Sequence, residues 1–204
     1  MKLAELLEKT EYTVVSGNVD VEVKELQYDS RKVTRGDVFV CISGAVVDGH
    51  DFITDVIAKG AAAVIVERDT QGIETADAVI IRTPDTRLAL AYMSAAFFDY
   101  PAEKLFTIGI TGTKGKTTTT FMVRDILEAC NIKTGLIGTI ETIIGDTHIP
   151  SANTTPESYM VQKYFRDMAD AGCRCVVMEV SSQALMLHLS LIHISEPTRL
   201  ALIS

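Results

Sequence analysis

The ten residues Gly109-Ile110-Thr111-Gly112-Thr113-Lys114-Gly115-Lys116-Thr117-Thr118 carry most of the chemistry legible in this chain. Glycines alternate with short polar residues, and a Lys-Thr pair follows. Backbone N–H groups in such a turn converge on an anion, and a helix starting at its end adds partial positive charge. Lys116 suits the β- and γ-phosphates of a nucleoside triphosphate, and the Thr117 hydroxyl suits Mg²⁺. Gly112, Thr113, Gly115 and Thr118 complete the expected ATP-binding loop, with Lys114 inside it as a solvated or auxiliary cation. The general P-loop pattern asks for glycine five positions before Gly115. Ile110 stands there, and Gly109 comes one place early.

Such a loop works only between a strand and a helix. The apolar run Leu105-Phe106-Thr107-Ile108 predicts a buried strand entering it. Val123, Ile126, Leu127 and Cys130 recur at helical spacing and predict the helix leaving it. Further on, Leu136-Ile137-Gly138-Thr139 and Val176-Val177-Met178 read as buried strands. Thr142-Ile143-Ile144 and Thr147-His148-Ile149 flank Gly145-Asp146, a pair suited to a type II′ hairpin. Thr155-Pro156-Glu157 predicts a helix start with Thr155 as N-cap and proline in the first turn. Val161, Phe165 and Met168 give that helix an apolar face, and Gly172 ends it.

Upstream of the loop, Leu3, Leu6 and Leu7 fit a short amphipathic helix. Val38 to Ile42, Ala63 to Val66 and Ala78 to Ile81 read as strands, and Phe52 to Lys59 and Thr86 to Phe98 as helices. Tyr100-Pro101-Ala102 is a natural boundary, because the residue before proline is pushed out of helix. Strands alternating with helices predict an α/β protein with a parallel, doubly wound sheet.

The chain has 204 residues and 47% hydrophobic content, enough for a packed core. Its 19 basic and 27 acidic residues give a net charge of −8, which argues against a nucleic-acid surface. No apolar run reaches membrane-spanning length, and the first nine residues lack the uninterrupted apolar core of a signal peptide. Cys41, Cys130, Cys173 and Cys175 have neither metal-ligand nor redox spacing and read as reduced core thiols of a cytoplasmic protein.

The run from Thr111 to Thr118 resembles the P-loop of the Mur ligase family, ATP-dependent enzymes that build the peptide stem of bacterial cell wall. Three further segments carry the resemblance: Tyr28-Asp29-Ser30-Arg31-Lys32-Val33 with Gly36-Asp37-Val38-Phe39-Val40, then Asn153-Thr154-Thr155-Pro156-Glu157, then Met178-Glu179-Val180-Ser181-Ser182. They point to the branch that adds the third stem residue. The resemblance implies a small N-terminal α/β UDP-substrate domain over residues 1–102. The first part of a P-loop, doubly wound central domain would follow over 103–188. Residues 189–204 match nothing expected of the family and read as a non-native tail, similar to a translated sequencing adapter. The chain is thus expected to be a truncated ligase, inactive by itself.

The implied reaction is ATP-driven amide formation on UDP-N-acetylmuramoyl-L-alanyl-D-glutamate through an acyl phosphate. The incoming diamino acid would be diaminopimelate first, L-lysine second. ATP and Mg²⁺ are the implied cofactors, with no nucleic-acid or membrane partner, and the protein is expected to be a cytoplasmic monomer. By the same resemblance Lys116 and Glu179 are catalytic, and Thr117 and Glu179 hold Mg²⁺, a hard cation that wants carboxylate oxygen. Ser30, Gly44, Ala45 and Val46 would face the UDP moiety, Asn153, Thr154 and Thr155 the muramoyl peptide, and Ser181 the sugar nucleotide. Lys114 departs from the family, which more often has Asn there. Other readings are a P-loop switch, a non-catalytic module binding ATP or a UDP-sugar, and a folylpolyglutamate synthetase. A switch would need an Asp-x-x-Gly motif downstream of the loop, and none follows. Asn153-Thr154-Thr155-Pro156 and the first domain argue against the synthetase.

Overall fold

A computed structural model describes residues 1–44, 47–69, 77–187 and 189. Ala45 and Val46 of the expected UDP site lie outside the described residues, as does all of the expected tail except Leu189. The chain divides into two compact units, Met1–Asp99 and Tyr100–Ser204.

The first unit is built on a five-stranded sheet of β1 (Thr13–Ser16), β2 (Leu26–Gln27), β3 (Val38–Val40), β4 (Ala63–Val66) and β5 (Val79–Arg82), in the order β1-β5-β4-β3-β2. β2 to β5 run parallel, and β1 closes one edge antiparallel to β5. β3 and β4 are buried along their whole length, which explains their unbroken runs of Val, Ile, Phe and Ala. Phe39, Val64, Val66 and Ile80 pack with Ile53 and Val56 of α2 (Ile53–Ala58). α1 (Leu3–Leu6) and α3 (Thr86–Phe97) pack against each other. The helix expected from Phe52 is preceded by a 3-10 turn, Gly49–Phe52, capped by the Asp48 side chain. α3 ends where Asp99 and Tyr100 take positive φ (61° and 44°), and Pro101 opens a short 3-10 turn.

The second unit has a sheet of β6 (Phe106–Ile110), β7 (Thr134–Ile137), β8 (Glu141–Ile144), β9 (Thr147–Pro150) and β10 (Cys175–Glu179), in the order β6-β10-β7-β8-β9. β10 lies between β6 and β7, parallel to both. β8 and β9 form the expected hairpin, and Gly145 takes the positive φ (58°) that a type II′ turn asks of its first central residue. α5 (Ser158–Asp170) buries Val161, Phe165 and Met168 completely against Val176 and Met178. α4 (Lys116–Ala129) packs against β10 and β7.

Three expectations fail here. β6 is not buried: Phe106 is 71% exposed, because β6 pairs with β10 alone among the described strands and stands at the sheet edge. Cys130, expected as a core thiol, is exposed at the C-cap of α4, a helix whose Ile126 is itself 62% exposed. Thr155 does not cap α5; Glu157 is the capping residue and the helix begins at Ser158. The Thr155 hydroxyl instead donates to the Glu179 carbonyl at 3.0 Å and accepts from the Ser181 N–H at 3.3 Å, tying its loop to the end of β10.

Candidate functional site

Three parallel strands end side by side in the second unit. Glu179, last in β10, is in register with Ile110 of β6, and Met178 with Ile137 of β7. The phosphate loop therefore leaves β6 next to the Glu179 carboxylate, with β10 inserted between two strands that α4 connects. Open α/β sheets place ligands at such a change of strand order, beyond the carboxyl ends.

Thr111, Gly112, Thr113, Lys114 and Gly115 of the loop are exposed. Gly115 takes φ 80° and caps α4, with nothing within 4 Å of where a Cβ would sit, so the left-handed backbone and not crowding demands glycine. Lys116 and Thr117 then open the helix. The Lys116 ammonium donates to the Gly112 carbonyl at 2.9 Å, drawing it across the loop it is expected to serve. The Thr119 hydroxyl bonds the Gly115 carbonyl and the buried Thr120 hydroxyl bonds the Thr117 carbonyl, each at 2.8 Å, which fixes the first turn. Thr118 is exposed beside them.

Glu179 is not a surface carboxylate: it is 1% exposed. A buried carboxylate must be matched by donors, and three are present. The Thr117 hydroxyl lies 3.0 Å from Oε2, the Thr139 N–H 2.8 Å from Oε1, and the Thr139 hydroxyl 3.1 Å from Oε2. Thr117 and Glu179, 62 positions apart, are thus in direct contact. Both offer oxygen, the donor type Mg²⁺ prefers, so the pair fits that ion. Among the described residues no group of three or more His, Cys, Asp or Glu could hold a metal. A cation here would take its remaining oxygens from phosphate and water, which is how Mg²⁺ is commonly bound beside nucleotides.

Of the expected peptide-binding residues, Asn153 is exposed, Thr154 is half-buried with its hydroxyl 3.1 Å from that of Thr139, and Thr155 is buried on β10. Ser181 caps α6 (Ser182–Met186), its side chain accepting from the Ala184 N–H at 3.0 Å. Gly138 and Thr139 were not singled out for chemistry from the sequence, although a Gly-Thr pair directly after a buried strand marks the ligand end of a parallel sheet. A Cβ on Gly138 would lie 2.7 Å from Glu179 Oε1.

In the first unit, Ser30 and Gly44 line one cavity of about 530 Å³, with Tyr28, Asp29, Arg31 and Phe52 among the other walls. Arg31 grips the Asp29 carboxylate with two bonds of 2.8 Å, and these bonds hold the Asp29 carboxyl down at about 2. Lys59 donates to the Ser30 carbonyl at 2.6 Å. The cavity thus joins apolar walls to a held cation. His50 sits close by but is structural: Nδ1 lies 2.7 Å from Asp48, and Nε2 accepts from the Glu67 N–H at 3.1 Å. Burial lowers its proton affinity. That arrangement needs the neutral ring with its proton on Nδ1.

Residues 22–98 match the family model for "Mur ligase family, catalytic domain", and residues 110–199 match that for "Mur ligase middle domain". The second match runs past residue 188, into the stretch for which no counterpart was expected. The UDP-N-acetylmuramoyl-L-alanyl-D-glutamate–2,6-diaminopimelate ligase of Clostridium perfringens is 49% identical over 187 residues, 92% of this chain and 38% of that protein. A solved structure of a ligase of the same name superposes with a TM-score of 0.73 over 93% of this chain and 38% of its own, at 23% identity, which bears on the fold. MurF ligase from Thermotoga maritima, solved in complex with ADP, gives 0.53 over 83% of this chain and 35% of its own, at 26% identity. The chain thus spans well under half the length of the relatives it matches. With two domain models of one family accounting for most of its residues, and a P-loop set beside a buried glutamate, this chain belongs to the Mur ligase family.

Proposed function

We propose that this chain is the UDP-substrate and phosphate-binding part of an ATP-dependent amide ligase, which adds diaminopimelate to UDP-N-acetylmuramoyl-L-alanyl-D-glutamate in the cytoplasm. The single observation that carries the reading is the 3.0 Å contact between Thr117, at the start of the phosphate-loop helix, and the buried Glu179. The names of the relatives support the choice of substrate and amino acid.

In the proposed reaction, a terminal glutamate carboxylate oxygen attacks the γ-phosphorus and ADP departs, leaving an acyl phosphate. The diaminopimelate amine then attacks the acyl carbon, loses a proton, and inorganic phosphate leaves. Phosphoryl transfer rests on positioning and charge neutralisation. Lys116 exchanges the Gly112 carbonyl for phosphate oxygens, and the N-terminus of α4 faces the same charge. Thr117 and Glu179 would hold Mg²⁺, which neutralises phosphate charge when bound. Ser30, Gly44 and the Asp29-bound Arg31 would receive the uridine diphosphate, and Asn153 and Thr154 the peptide.

A second reading, in which these 204 residues bind nucleotide or UDP-sugar without ligating, is favoured by the exposure of residues 111–115. One assay tests the ligase reading. ADP release by the full-length protein should require both the muramoyl-dipeptide and the amino acid, and should be faster with diaminopimelate than with L-lysine. Steady ADP release with neither substrate would contradict the ligase assignment.

A further inference from the structure

We propose that Thr139 is a positioning residue: it fixes the Glu179 carboxylate for cation binding and joins it to the loop that carries Thr154. The inference rests on the reading of Glu179 as a cation ligand. Thr139 follows β7 and uses two of its own groups on the same carboxylate, the N–H on Oε1 at 2.8 Å and the hydroxyl on Oε2 at 3.1 Å. The third donor, Thr117, is itself the other candidate ligand. A cation shared by Thr117 and Glu179 replaces the hydrogen bond between those two, so the donors that remain on Glu179 both belong to Thr139. A carboxylate on a three-bond stem keeps one orientation only when such neighbours hold it, and removing an outer partner of a metal ligand typically weakens the metal on the order of 10- to 100-fold.

The same hydroxyl lies 3.1 Å from the Thr154 hydroxyl. A threonine hydroxyl has one proton to give and two lone pairs to receive. While Thr139 donates to Glu179 it can accept from Thr154, forming a relay of hydroxyls from the expected peptide loop to the expected cation carboxylate. Gly138 is part of the same device, since only a residue without a side chain lets β7 approach Glu179 this closely.

The test is Mn²⁺ binding to the full chain in the presence of ADP, read from the electron paramagnetic resonance signal of free Mn²⁺. Thr139→Val keeps the backbone N–H and the shape but removes the hydroxyl, and should weaken Mn²⁺ about tenfold or more. Thr139→Ser should return it to the wild-type value. ADP affinity without the cation should be the same in all three. If Thr139→Val does not fold, Thr139→Ala carries the same expectation. Equal Mn²⁺ affinity in Thr139→Val and wild type, with Glu179→Gln weakened, would overturn the proposal and leave the ligand reading standing. Glu179→Gln with wild-type affinity would overturn both, as would the absence of Mn²⁺ binding in every form. Parallel losses of ADP and Mn²⁺ would make Thr139 an ordinary structural residue and also count against the proposal.

Discussion

Replacing Gly138 with alanine should damage the cation site while leaving the phosphate loop whole. The added Cβ would stand 2.7 Å from Glu179 Oε1 and 3.3 Å from Leu136 Cδ2, so an atom must move. Gly138 has no positive φ, so backbone strain does not confuse the result. A carboxylate at the end of a free side chain could step aside at little cost. This one is 1% exposed and held by Thr117 and Thr139. Displacing Oε1 sacrifices first the 2.8 Å bond from the Thr139 N–H. A hydrogen bond to a charged group contributes about 1.5–3 kcal/mol, which corresponds to a roughly 10- to 150-fold weaker equilibrium. Urea denaturation of the chain should report the loss in stability, and Mn²⁺ titration with ADP the loss in cation affinity. Unchanged values in both would show that the carboxylate is not held as described, and the argument from close approach would fail.

Three other outcomes are expected. Lys116→Ala should lower the rate of ADP release in the full-length protein by about 10²- to 10³-fold, the size expected for one donor aimed at developing charge; a loss within a few-fold would remove Lys116 from the phosphate site. His50 has a folded-state pKa below the ordinary 6.5 because it is buried, so the unfolded chain binds the extra proton. Its contribution to stability should be complete above pH 6.5 and decline as the pH falls below that value toward the folded pKa. Nitrogen NMR of the ring should show the neutral Nδ1–H form throughout the upper part of that range, and a midpoint at or above 6.5 would refute this. UDP titrated into the chain should shift the amide signals of Ser30, Arg31 and Gly44; shifts confined to residues 111–118 would place the ligand in the phosphate loop instead.

Elements whose local signals agree with their packing were legible in the sequence. β3, β4 and β10 are buried apolar runs, and Gly145-Asp146 turns the hairpin as its φ preference requires. Val161, Phe165 and Met168 face the core at helical spacing. Failures came where a residue's partner is distant in sequence. Thr155 looks like a helix cap because Pro-Glu follows it, yet its hydroxyl bonds β10, 24 positions away. The apolar run of β6 and the apolar context of Cys130 predicted burial, but burial depends on what covers an element, and the sheet order puts β6 at an edge. Thr139 follows a buried strand, a position at the ligand end of the sheet, but nothing local names Glu179 as its partner. Its importance follows from β7 and β10 being neighbours, which no short-range pattern encodes. Family resemblance points to Glu179 through Met-Glu-Val-Ser-Ser, but gives neither its burial nor its direct bond to Thr117.

In the proposed ligase, a substrate carboxylate is activated by ATP at the site between the phosphate loop and Glu179. Muramoyl-dipeptide labelled with ¹⁸O in its terminal glutamate carboxylate tests it most directly. With the full-length protein, ATP and diaminopimelate, each inorganic phosphate released should carry one labelled oxygen, because the attacking oxygen leaves with phosphorus when the amide forms. Tripeptide produced alongside unlabelled phosphate would contradict it.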